Sequence, residues 1–65
     1  MWTEIIKAPN LMVAELWKNA FDAEGITAMI APDVPDWVGV SESQPRRIMV
    51  PVSRKHVAEE VLRKL

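Results

Sequence analysis

An α+β domain of order β-α-β-β-α is predicted by three features of this 65-residue chain. Asn10 and Gly25 bracket a run of helix formers as its start and stop. Ile26 to Ala31 and Arg47 to Val52 alternate in apolarity at the period of a strand. Ser53 then opens a second run with helical spacing, and the whole chain, 1–65, reads as one domain with a long loop at 32–46.

The elements follow in order. Trp2 to Lys7 is short and rich in Ile, and Ala8-Pro9 ends it because proline disfavours continuation. Asn10 sits where a side-chain acceptor caps the free amides of the next turn, so a helix is expected from Leu11 to about Glu24. On a helical projection Met12, Val13, Ala14, Leu16, Trp17, Ala20, Phe21 and Ala23 cover about 200°, a stripe wider than one sheet contact requires. Gly25 closes that helix, since it takes the left-handed conformation without a Cβ penalty. The next strand places Ile26, Ala28 and Ile30 on one face and Thr27, Met29 and Ala31 on the other. Pro32, Pro35, Gly39 and Pro45 mark the loop, with at most a short turn near Asp36-Trp37. The third strand sets Ile48, Val50 and Val52 against Arg47, Met49 and Pro51. Ser53 is expected to cap a helix reaching Leu65, with Val57, Ala58, Val61, Leu62 and Leu65 inward.

A strand, a right-handed crossover helix and a parallel strand, followed by an antiparallel third strand, allow that third strand to insert between the first two. The predicted architecture is therefore a ferredoxin-like split β-α-β lacking a fourth strand, with sheet order 1-3-2 and two helices on one face. Proline is disfavoured inside a central strand, so this order requires Pro51 to occupy the last paired position. The first strand is left with a free edge, and Ile5 beside Ile6 makes both of its faces apolar. The uncovered sheet face is expected to carry Met29, Met49, Pro51 and either Trp2 with Ile6 or Ile5.

Composition excludes several functions. A domain this small buries only about 60% of the surface its unfolded chain exposes and gains from a partner. With no Cys and one histidine, His56, disulfides and a thiolate zinc site are ruled out within one chain, and no metal or cofactor is expected. Oligomerisation, foremost a homodimer, is the remaining supplement. A net charge of −1 argues against nucleic acid, whose binders need Lys and Arg in excess. No apolar run spans a bilayer, so no membrane partner is expected, and Met1-Trp2-Thr3-Glu4 lacks the start of a signal peptide; the expectation is a soluble cytoplasmic protein.

The run Ala8-Pro9-Asn10-Leu11 through Ala14-Glu15-Leu16, then Ala23-Glu24-Gly25-Ile26 and Ala28, resembles the opening half of a family of small bacterial domains described as prokaryotic signal-transducing proteins. The similarity is specific over Lys7 to Ile30 and reduces to a strand-then-helix pattern with Val50-Pro51-Val52 over Arg47 to Leu65. It implies the fold of nitrogen-regulatory signal-transduction proteins and a role in bacterial signalling. It transfers no catalytic residue.

The residues themselves offer two places for function. At one end of the domain the topology gathers Lys7, Asn10, Arg46 and Arg47, where helix amides and two arginines suit a small anionic ligand; the competing reading is that the arginines pair with Asp33, Asp36 or Glu42. The other place is an interface comprising Trp2, Ile6, Met29 and Met49 on the sheet, with Trp37 in the loop as an aromatic anchor. No catalytic residue is expected: His56 lies beside Arg54 and Lys55 at a helix start, and turn chemistry accounts for Asp33 and Asp36 between prolines. The expected function is a non-catalytic regulatory or adaptor domain, with an anion sensor as the alternative.

Overall fold

The computed structural model describes residues 1–35, 38–39 and 41–65. Five elements follow one another: β1 (Trp2–Ala8), α1 (Leu11–Ala23), β2 (Met29–Pro32), β3 (Arg46–Pro51) and α2 (Lys55–Leu62), the last preceded by one 3₁₀ turn over Val52–Arg54. The sheet has three strands in order β1-β3-β2, with β3 antiparallel to both neighbours. Along β3, Ile48 and Val50 are buried while Arg47, Met49 and Pro51 are half-buried, so one face of the sheet is covered. Ala14 and Phe21 of α1 and Ala58 and Val61 of α2 share that core with Ile48 and Val50. The result is a two-layer slab measuring 33 × 23 × 15 Å.

Local chemistry fixes both ends of α1. Asn10 is extended, and its Oδ1 accepts the Val13 amide at 2.9 Å, filling one of the donors a helix start leaves open. At the far end Gly25 has φ +77°. The Gly25 amide donates to the Asp22 carbonyl at 3.0 Å and the Ile26 amide to the Phe21 carbonyl at 2.9 Å, the paired bonds of a Schellman closure. Its hydrophobic contact joins Ile26 and Phe21, both buried. A Cβ at Gly25 meets nothing within 4 Å, so the cost of a side chain there is conformational alone. Gly25→Ala should therefore lower stability by about 1–2 kcal/mol, read as a shift in urea midpoint at unchanged slope. An unshifted midpoint would show that the helix closure is dispensable.

The strands depart from the predicted bounds for reasons that involve neighbours. The Val52 amide donates to the Met1 carbonyl at 2.9 Å, toward β1. Since backbone groups alternate sides along an antiparallel strand, Pro51 turns its donorless nitrogen toward β2. Thr27 is the residue that a longer β2 would set there, and β2 begins only at Met29, paired with Met49. Ile26 and Ala28 keep their predicted inward face without belonging to a strand. Pro51 takes the last paired position of β3, as the 1-3-2 order requires.

The second helix also differs from expectation. Ser53 does not cap it; the 3₁₀ turn intervenes, α2 starts without a side-chain cap, and it stops at Leu62 rather than Leu65. Val52, Val57 and Leu65, expected inward, are exposed. The stripe on α1 splits as well: Ala14 and Phe21 are buried, whereas Met12, Leu16 and Ala23 face solvent. A three-stranded sheet is too narrow to cover a 200° arc.

Candidate functional site

The loop end does bring Lys7, Asn10, Arg46 and Arg47 together, since Ala8 pairs with Arg46 and Lys7 with Arg47 at the start of β3. The strand pleat then sends the two arginines to opposite faces. Arg46 shares the covered face with Ile48 and Val50 and is only 5% exposed. Its guanidinium donates to the Ser41 carbonyl at 2.7 Å from Nη2, and from Nη1 to the carbonyls of Gln44 at 2.7 Å and Pro45 at 3.5 Å. A buried charge is tolerable only when hydrogen-bonded, and here backbone oxygens rather than a carboxylate serve it. Arg47 lies on the open face, where its Nε donates to the Pro32 carbonyl at 3.2 Å. Lys7, across from it, reaches Asp33 at 3.5 Å.

The effect of Arg46 is to hold a turn against α1. The Ser41 amide donates to Gln44 Oε1 at 2.9 Å, the Gln44 amide to the Ser41 carbonyl at 3.2 Å, and the Leu11 amide to the Glu42 carbonyl at 2.9 Å. Two of the first three amides of α1 are thereby occupied, Leu11 by Glu42 and Val13 by Asn10. Those two amides become available to an anion only if their internal partners give way. Sequence reasoning could not anticipate this use of Arg46, because nothing in the order of residues distinguishes a guanidinium aimed at carbonyls from one aimed at a ligand.

Both helices pack on the Ile48 and Val50 side of the sheet, and among the described residues no element forms a layer on its other face. A register shift between Glu4 and Ile6 inserts an extra residue into β1, so that Ile6 pairs with Ile48 while Glu4 pairs with Met49. Such a bulge breaks the alternation of side chains. Ile5 and Ile6 both pack against the core, which corrects the expectation that adjacent isoleucines make both faces of β1 apolar. Ile6 accordingly leaves the candidate interface. Trp2, opposite Pro51, and Met29, opposite Met49, remain on the open side, and Trp2 and Met29 are each 41% exposed. Four apolar side chains thus occupy one end of the open face, beside Glu4, while Lys7 and Arg47 occupy the other. Trp37, the predicted loop anchor, and Asp36 lie outside the described residues.

His56 is exposed at the start of α2, and among the described residues no three acidic or histidine side chains gather as metal ligands. No helix among those residues is long and apolar enough to cross a membrane. Comparison of the chain with protein-family models, curated proteins and solved structures gave no match.

Proposed function

We propose that this chain is a non-catalytic regulatory or adaptor domain that works by protein–protein contact, with self-association through the open sheet face as its first mode. The observation that carries this reading is the apolar end of that face: Trp2, Met29, Met49 and Pro51 lie together on a side of the sheet against which neither helix packs. In a domain with so small a core, covering this surface adds burial that the single chain lacks. A split β-α-β arrangement of ferredoxin-like type without a fourth strand also leaves the β1 edge free, although the bulge at Glu4–Ile6 and the charges of Glu4 and Lys7 discourage strand addition there. A place in bacterial signalling rests on the resemblance over Lys7 to Ile30.

The sensor reading has weaker support, since Arg46 and two α1 amides are engaged internally. Sedimentation equilibrium tests the main reading. The native chain should self-associate at micromolar concentration, and Met29→Lys with Met49→Lys should weaken that association markedly while leaving the circular dichroism spectrum native, because neither side chain belongs to the core. A native chain that stays monomeric, or a double variant that associates undiminished, would remove the proposal's basis.

A further inference from the structure

The outward side of α1 carries large apolar residues among its polar ones, where a solvent-facing helix is ordinarily polar. Met12 and Leu16, 71% and 62% exposed, lie one turn apart on the side away from Ala14 and Phe21. Beside them runs a groove between α1 and the 41–44 turn, lined by Asn10, Leu11, Met12, Glu15, Glu42 and Ser43. Among the described residues neither Glu15 nor Glu42 forms an ion pair, so the groove lining combines the apolar Leu11 and Met12 with two unpaired carboxylates.

The opposite end of the domain has the complementary character. Six residues of β3, at about 3.3 Å each, separate the two ends. There Val52 and Val57 are exposed beside Arg54 and Lys55, cations with no ion-pair partner among the described residues. The helix that starts here has no side-chain cap and no acidic residue in its first turn. Cations at a helix start oppose its dipole, an arrangement that a carboxylate supplied from outside relieves.

We infer that a second copy of this chain seats its Val52–Val57 end in the α1 groove, apolar on apolar and Arg54 and Lys55 against Glu15 and Glu42. Because the two surfaces differ and lie at opposite ends, the contact is heterologous and head-to-tail. It propagates into a ring or an open chain rather than stopping at a dimer. It shares neither residues nor symmetry with the sheet-face contact and stands apart from it.

The test uses charge reversal in the Met29→Lys, Met49→Lys background, which silences the sheet face. The parent should still associate, more weakly as salt rises. Glu15→Lys with Glu42→Lys, and separately Arg54→Glu with Lys55→Glu, should each weaken association by roughly tenfold or more, and an equimolar mixture of the two should restore it. All four positions are exposed, and circular dichroism verifies that each variant is folded. Salt-independent or absent association in the parent, native-like association of either reversal variant, or a mixture no better than its components would each overturn the inference. Loss of the sheet contact alone leaves it standing.

Discussion

Phe21→Ala leaves the domain largely unfolded in water at 25 °C. Phe21 is fully buried, packs in the one core that α1, α2 and β3 share, and forms the closing contact of α1 with Ile26. Truncating a buried Phe costs about 3–5 kcal/mol, counting both lost transfer energy and the cavity left behind. At roughly 0.05–0.15 kcal/mol per residue, the total stability of a 65-residue domain is about 3–10 kcal/mol, so the loss takes most or all of it. Circular dichroism with urea titration reads the result. Phe21→Leu, which keeps most of the volume, should retain a cooperative transition with a lowered midpoint. A Phe21→Ala protein within about 1 kcal/mol of native would mean that the core is centred elsewhere.

Arg46→Met is the second large effect. The substitution keeps an apolar stem of similar reach and removes the fork that holds the Ser41 and Gln44 carbonyls. Hydrogen bonds from a charged donor contribute about 1.5–3 kcal/mol each, but the freed carbonyls regain water once the turn lifts, so the net loss should be near 2 kcal/mol. The local signature is more telling than the magnitude. With the turn released, the Glu42 carbonyl leaves the Leu11 amide, whose hydrogen exchange should accelerate far more than that of Phe21 or Val50. Uniform acceleration across the chain would mark a merely global destabilisation and refute the tethering role of Arg46. Arg46→Lys should fall between the native protein and Arg46→Met, because an ammonium keeps donors but lacks the planar fork that meets both carbonyls.

What the sequence made legible was decided within a few residues. Asn10 announces a helix start through its own side chain, and Gly25 a helix stop through its freedom at positive φ. The phase of β3 was equally readable, since Ile48 and Val50 alternate with charged and sulfur-bearing residues. The failures all involve something distant in sequence. Ile5 and Ile6 fit either phase of a strand, and only pairing with β3 shows that a bulge turns both to the core. The late start of β2 depends on a proline more than twenty positions away. Leu16 satisfies the helical period as well as Phe21 does, but the period does not say how wide a sheet the helix will meet. Arg46 and Arg47 are neighbours in sequence and opposites in the fold, which a reading based on which end of the domain they occupy could not separate.

Those corrections move the functional question from the basic loop end to two apolar surfaces, and the methionines report on both. Of the four in the chain, Met29 and Met49 lie on the open sheet face, Met12 at the α1 groove and Met1 at the terminus. Methyl-resolved NMR of methionine-labelled native protein, followed from micromolar to millimolar concentration, therefore reads self-association through the open sheet face at the residues that would form the contact. The Met29 and Met49 methyl resonances should shift and broaden together as concentration rises. Met29 and Met49 signals that stay constant over that range, with the protein tumbling as a monomer throughout, would contradict it.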